Sequence, residues 1–546
     1  MLEKADRYWQ TLRHLKAVQF YGRVWFRLYR PRINTLIGDL PIRLQLGVWQ
    51  KPAGRQVSML SGSEFRFLNR THRLPACGGW NNPALEKLWL YNLHYFDDLN
   101  AQNAPARADI HLELIERWIS ENPPAAGIGW EPYPTSLRIV NWLKWLVAGN
   151  MAPKGMTSSL VLQADWLAGR LELHLLGNHL FANAKALVFA GLYFEGPQAS
   201  KWLAIGLNII SKELTEQVLA DGGNFERSPM YHALFLEDVL DLINAAKCWP
   251  GLVPDAQVAC WCETTGRMLS WLRVMTHPDG EIAQFNDSAF GVAPRVSELI
   301  AYADRLGGEL PNDITNLKVI QFPDSGYLRM QTSHAVALLD VAPIGPDYLP
   351  GHAHADTLSF ELSVFDQRVV VNGGTSCYGM GPDRLSERGT SAHSTVEVAG
   401  VNSSEVWGGF RVARRAYPFD LEVHSDNGHV ACSHNGYARL PGAPVHRRSW
   451  HMKENSLNVR DKVCGGKHAA QARFIFHPAI QVAAVDTNIW CLTLAKGERL
   501  RIAVQEGRGR IQPAMYAPEF GKKLHTNSLV IELVAGVADA TFFWVI

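Results

Sequence analysis

Three short stretches of this sequence gather side chains that can move protons and hold an anion. In Leu176-Gly177-Asn178-His179, Gly177 can end one helix and Asn178 can cap the next, which suits those residue types. Capping does not account for His179 beside it, nor for the polar Asn183 in an otherwise apolar run. Amide and imidazole donors at a helix N-terminus form a receptor for a carboxylate. The second stretch, Asp221-Gly222-Gly223-Asn224-Phe225-Glu226-Arg227-Ser228-Pro229-Met230-Tyr231-His232, is a glycine turn opening a helix. An exposed connection would explain Asp-Gly-Gly, but so many Asn, Glu, Arg, Tyr and His side chains are expensive to bury without partners. The third is Gly351-His352-Ala353-His354-Ala355-Asp356, where period two would put both imidazoles and the carboxylate on one face of an extended segment. That suggests a metal, with Asn372 and His393 as further ligands, although Thr357 stands where a metallo-β-lactamase pattern needs another His. Two imidazoles and an amide oxygen are a weak zinc set, because zinc prefers thiolate, imidazole and carboxylate.

The elements that must position these residues fall into three regimes. Residues 1–100 are mixed, with a basic amphipathic opening and the aromatic string around Trp89-Leu90-Tyr91. From 101 to 318, apolar residues recur at helical spacing in six or more runs whose wide apolar faces need partners on two sides, as in an α-bundle or α/α toroid. From 319 to 546, short alternating or β-branched runs separated by Gly, Asn and Asp turns predict an antiparallel sandwich or stacked sheets. Helices followed by strands give an α+β chain in separate domains. With 546 residues, 47% of them hydrophobic and 19% charged, a disordered chain or single small module is excluded. The formal net charge is +1, so no global field favours nucleic acid or an anionic membrane, and a polyanion must be met by a local cluster. Mean hydropathy is −0.09. The eight cysteines are scattered without a CxxC pair, so buried thiols are expected rather than a zinc ribbon or disulfide framework. The charged opening lacks a signal-peptide core, which predicts a cytoplasmic start.

Taken in order, YNLHYFDDL, GIGWEPYPTSLRIVNW, GNHLFANAKAL, DGGNFERSPMYH, HPDGEIAQFNDS, GHAHADTLSFEL, VVVNGGT, AHSTVEV and SEVWGGFRVARRA resemble the heparinase II/III superfamily of polysaccharide lyases, which includes alginate-lyase relatives. The resemblance implies an N-terminal α/α toroid joined to antiparallel sheets, with the substrate cleft between them. It implies that Asn178 and His179 hold a uronate carboxyl group, that Tyr231 gives a proton to the leaving oxygen, and that His352 is the partner base. It also implies a structural divalent metal, zinc or manganese, at His354, Asn372 and His393, where the family usually has Asp in place of Asn372. No organic cofactor is implied.

Such a lyase removes the C5 proton beside a uronate carboxylate and expels the C4-linked oxygen, so donors aimed at the carboxyl oxygens stabilise the developing enolate-like charge. A tyrosine near a cation can have a lowered pKa and act as base then acid, with Arg227 and His232 as the nearby tuning candidates. Alternatively a histidine across the ring is the base and Tyr231 the acid alone. Trp130, Tyr133, Arg138, Glu226, Arg227, Trp407, Arg411, Arg414 and Arg415 are candidates for gripping the polymer, against burial as the ordinary fate of tryptophan. The expected partner is an acidic polysaccharide such as hyaluronan, chondroitin or a heparan-type chain, with alginate or a bacterial exopolysaccharide as alternatives; neither nucleic acid nor membrane is expected. A glycoside hydrolase using Glu131, Asp221 or Glu226 is the rival enzyme, since hydrolysis needs two carboxyl groups about 5–10 Å apart. An inert carbohydrate-binding protein would keep the aromatic residues but has no use for Asn178, Tyr231 and His352 together.

Overall fold

The computed structural model describes residues 2–34, 37–310 and 319–545. Two N-terminal helices, α1 (Leu2–Leu12) and α2 (Ala17–Leu28), precede a stretch whose described residues form neither helix nor strand up to residue 63. The toroid follows: α3 (Lys87–Tyr95), α4 (Ala108–Glu121), α5 (Pro132–Val147), α6 (Met156–Ala168), α7 (Gly177–Tyr193), α8 (Pro197–Gln217), α9 (Pro229–Cys248), α10 (Asp255–Val274) and α11 (Val296–Arg305). Almost every residue of α5, α7 and α9 is buried, which matches their apolar residues on all sides.

Two features lock the helices. Trp118 packs edge-on to Trp142 at 5.5 Å and beside Trp130 at 6.0 Å, and the Arg138 guanidinium lies 3.8 Å from the Trp118 ring centre. One buried carboxylate, Asp241 on α9, accepts from Lys144 of α5 at 2.8 Å, Lys185 of α7 at 2.7 Å and the Tyr302 hydroxyl of α11 at 2.9 Å. Burial disfavours its charge, but the two lysines outweigh that and hold its pKa below the ordinary range.

The strands form a nine-stranded and an eight-stranded antiparallel sheet among the described residues. The first explains its own sequence. Strand Ala335–Asp340 is buried throughout because alternate residues serve two cores: Val336 and Leu338 join the toroid cluster, while Ala335, Ala337 and Leu339 face the second sheet. Strand Val445–Lys453 of the outer sheet alternates buried and half-buried positions, as expected with one covered face. A layer of sheet therefore stands directly against the toroid, and loops from both meet at its edge. Gln284 N donates to Glu361 at 2.8 Å and His277 Nε2 contacts the same carboxylate at 2.8 Å, which fastens the 277–290 loop to this sheet. A short helix, α12 (Pro382–Glu387), lies on the strand side of the junction. All eight cysteines are free, but only Cys248 and Cys432 are the expected buried thiols; Cys77, Cys260, Cys262 and Cys464 are exposed.

Asp241→Ala would leave Lys144 without a counter-charge inside the helical core. A loss of about 3–5 kcal/mol is expected, read as a lower denaturation midpoint of the helical signal; an unchanged midpoint would show that the carboxylate does not tie these helices together.

Candidate active site

Asn178 and His179 stand in the first turn of α7. The helix begins two residues earlier than the sequence suggests: Leu176 is the flanking residue at φ 61° and Gly177 opens the helix at φ 54°, so Asn178 is not the cap. Glycine suits 177 because φ 54° lies in the left-handed region, and a Cβ there would also press on Leu349 Cδ2, 2.5 Å away in the loop leading to His352. His179 Nδ1 lies 3.2 Å from Glu172, and its ring sits 4.4 Å from that of Tyr133. Burial works against a charged His179, yet Glu172, with Glu226 and Glu131, overrides it and raises the pKa above the ordinary value. Asn183 now has a role: its Oδ1 accepts from Glu172 N at 2.9 Å and its Nδ2 donates to the Glu172 carboxylate at 3.1 Å. It holds the residue that holds His179.

Tyr231 follows the Ser228 cap of α9, whose hydroxyl accepts from Tyr231 N at 3.2 Å and donates to the Asp287 carbonyl at 2.7 Å. The Tyr231 ring lies 3.9 Å from the His352 ring, and its hydroxyl is 2.8 Å from that of Tyr378. Burial, and then Tyr378 and Asp287, push the Tyr231 pKa well above its usual value. The expected tuning by its neighbours fails for geometric reasons. Arg227, at φ 58°, turns its guanidinium to the Ser325 carbonyl at 3.0 Å, and buried His232, bonded to Met268 O and Asn224 N, is pushed down to about 3. Tyr231 is held in its protonated form.

His352 is oriented by a residue the motif reading passed over. Asp287, fully buried in the 277–290 loop, meets His352 Nδ1 at 2.9 Å, His354 Nε2 at 2.8 Å and both Arg384 terminal nitrogens, Nη2 at 2.6 Å. Burial favours a neutral acid there, but Arg384 and the two imidazoles outweigh it and keep Asp287 ionised. An ionised carboxylate only accepts, so His352 Nδ1 is the donor to it, and Nε2 is left facing the Glu226 side of the centre. Arg388 adds two bonds to the Ala353 carbonyl, 3.0 and 2.8 Å, which clamp the same loop. The only signal for Asp287 in the sequence was its place in HPDGEIAQFNDS, and nothing marked Arg384, Arg388, Glu172 or Tyr378.

Glu226 faces the same centre. It is buried, its Oε2 makes no hydrogen bond and lies 3.5 Å from His352 Nε2, and burial raises its pKa. The rival carboxylates are occupied elsewhere: Glu131 with Tyr91 and Lys87, Asp221 with Ser325 and the Gly223 amide.

Several expected polymer contacts are corrected. Trp130 is 3% exposed and its indole donates to Asn122 O, so it is core. Arg138 is fully buried, bonded to Gln163 and stacked on Trp118. Trp407 packs on Tyr8 and donates to Thr11, and Arg414 pairs with Asp6 and Glu405, because α1 covers this part of the rim. Arg415 pairs with Asp347. Arg411 is exposed, with its guanidinium 4.8 Å from the Trp407 ring centre. Tyr133 and Glu226 remain at the centre.

For a metal, His354 Nδ1 and His393 Nε2 are buried without hydrogen bonds, and the two rings are 5.2 Å apart. Burial pushes both imidazoles down, to about 4 and about 3, so both are neutral and ligand-capable. Asn372 Oδ1 is instead engaged by His393 Nδ1 at 2.6 Å, which fixes that ring's tautomer rather than offering a third ligand. Among the described residues no group of three His, Cys, Asp or Glu stands ready to bind an ion. The two imidazoles fit a metal; Asn372 does not complete the set as it stands.

Comparison with known proteins follows the two halves of the architecture. The Heparinase II/III N-terminus model matches residues 114–302 and the Heparinase II/III-like, C-terminal model matches 315–542. The chain belongs to the heparinase II/III family. Its curated relatives include a heparin-sulfate lyase of Bacteroides stercoris, 23% identical over 51% of this chain and 44% of the relative, and one of Bacteroides thetaiotaomicron, 31% identical over 48% and 36%. The matched stretch thus spans less than half of each relative. A crystal structure of heparinase III matches with a TM-score of 0.68 at 19% identity, over 86% of this chain and 80% of that one. The heparan sulfate lyase of Pedobacter heparinus matches with 0.56 at 18%, over 96% and 87%. At these identities the likeness is one of fold, and the fold is the family's toroid with antiparallel sheets.

Asp287→Asn removes the carboxylate charge that opposes buried Arg384. Stability should fall by about 3–5 kcal/mol, with partial recovery in Asp287→Asn/Arg384→Met; thermal denaturation showing no recovery would mean that Asp287 acts through something other than this pair.

Proposed function

We propose that this heparinase II/III member is a lyase that cleaves an acidic, uronate-containing polysaccharide by β-elimination, with a heparan-type glycosaminoglycan as its first substrate. The observation that carries the reading is the close packing of the Tyr231 ring against an Asp287-held His352, opposite the donors of α7. The names of the curated relatives support the polymer class.

In this scheme the uronate carboxyl sits against Asn178 and cationic His179. Burial raises the pKa of Glu226, which lessens its repulsion of that carboxyl. The Nε2 lone pair of His352 takes the C5 proton, the C5–H electrons form the C4–C5 double bond, and the C4–O4 electrons leave with the oxygen, which Tyr231 protonates. The raised Tyr231 pKa suits an acid better than a base, so of the two proton routes the one with His352 as base is favoured. Tyr378 then supplies the nearest hydroxyl for returning a proton to Tyr231.

Incubation with a panel of uronate polymers should give unsaturated, ultraviolet-absorbing ends, and Tyr231→Phe should lower turnover by about 100- to 10,000-fold without loss of fold. Reducing ends without unsaturation, or wild-type turnover in Tyr231→Phe, would sink the scheme.

The pH dependence has a definite sign. His179 has a raised pKa, held up chiefly by Glu172, so rising pH discharges the imidazolium and weakens the hold on a carboxylate. The rate constant kcat/KM should fall on the alkaline side, and Glu172→Gln, which removes the main charge that raises the His179 pKa, should move that fall to lower pH. An identical profile in the variant counts against a role for His179.

A divalent ion held by His354 and His393 would be structural, steadying the loop that carries His352. Asn372→Asp should increase metal retained after dialysis, measured by elemental analysis; stoichiometric zinc in the unaltered protein would show that the amide suffices.

A further inference from the structure

The N-terminal helices turn an apolar face to solvent. α2 rests on the body of the protein through one side only. Gln19 donates to the Tyr348 carbonyl at 3.0 Å, a Cβ on Gly22 would come 2.9 Å from that of His174, and the Phe26 ring lies 4.4 Å from the His174 ring. Lys16, between the helices, pairs with Glu216 at 2.7 Å, and α1 is tied to Trp407 and Arg414. At about 100° per residue, the opposite side of α2 is a continuous arc of Phe20, Val24, Ala17, Leu28, Tyr21 and Trp25. The five large side chains are between 47% and 80% exposed, and no charged residue interrupts them. A helix on a protein surface ordinarily buries its apolar arc and turns its polar residues outward. Here the arrangement is reversed, and Trp9 and Leu12 of α1 are exposed as well.

Charge is concentrated in the same place. Residues 1–32 hold eight Lys or Arg against two Asp or Glu, a net +6, whereas the chain as a whole is +1 and the remainder is therefore −5. Arg23 and Arg27 flank the arc, and Arg30 and Arg32 follow it. This is the local cluster that the near-zero total conceals. Burial, then Arg411 and Arg27, depress the Arg23 pKa, as expected where cations crowd one another.

We propose that the N-terminal helices dock the protein onto an anionic lipid surface, with α2 in the plane of the interface, its apolar arc among the acyl chains and its arginines on headgroup phosphates. Aliphatic and aromatic residues on one face with basic residues at its margin are what such a surface selects. Among the described residues no helix is long and apolar enough to cross a membrane, so the contact is in-plane. Val24 and Leu28 offer nothing to a sugar, which stacks on flat rings, and two copies meeting through this face would bring like charges together. Because Tyr348, under Gln19, is four residues from His352, docking also fixes the orientation of the cleft relative to the lipid.

Flotation of the full chain with phosphatidylcholine vesicles, with and without an equal share of phosphatidylglycerol, tests this. The protein should float with the anionic vesicles, about tenfold less with phosphatidylcholine alone or in high salt, and about tenfold less as Val24→Glu/Leu28→Glu. Unfolding temperature serves as the control for that variant, and Arg23→Gln/Arg27→Gln gives a second reading that leaves the arc intact. No flotation, or flotation indifferent to salt and to the arginine variant, overturns the proposal. So would light scattering that shows a dimer split by Val24→Glu/Leu28→Glu, or loss of acidic-polysaccharide retention in that variant, when the unaltered protein does not float.

Discussion

A single buried carboxylate organises the junction between toroid and sheets. Asp287 accepts from two histidines and an arginine that come from different parts of the strand domain, while its own carbonyl accepts from the cap of the helix that carries Tyr231. A charge in that setting is tolerable only because every one of those partners is present. The same set of bonds determines the His352 tautomer, the direction of its free nitrogen and its distance from Tyr231. Geometry at the reacting atoms thus follows from electrostatic satisfaction several bonds away.

The toroid contributes the anion receptor by a similar indirect route. Asn183 fixes Glu172, Glu172 raises the pKa of His179, and Gly177 allows the Leu349 side chain to press against the helix start. Leu176, Arg227 and Asn286 all hold positive φ values of 57–61° at the margins of this centre. Such backbone conformations cost about 1–3 kcal/mol each where no glycine relieves them. The Arg227 carbonyl, which accepts from Asn286 and Tyr327, shows how that cost is offset here.

Much of this was legible in the chain. The change from helical to alternating periodicity near residue 319 anticipated toroid and sheets, and Asn178, His179, Tyr231 and His352 do converge. What sequence could not show was partnership. Arg138 and Trp130 look like sugar-binding residues by type, yet they stack in the toroid core; Trp407 and Arg414 are taken up by a helix nearly 400 residues away. Asp287, Arg384 and Tyr378 were passed over because a lone acid, base or tyrosine in a loop has no periodicity to mark it, and only long-range folding brings the three together.

The central claim is that the reacting sugar lies between the α7 donors and the paired rings of Tyr231 and His352. A crystal structure of Tyr231→Phe with a heparan-type tetrasaccharide tests it directly. The account predicts a uronate carboxyl within hydrogen-bond distance of Asn178 and His179, with C5 turned to His352 Nε2. A uronate whose C5 faces away from His352, or whose carboxyl rests on other residues, would contradict it.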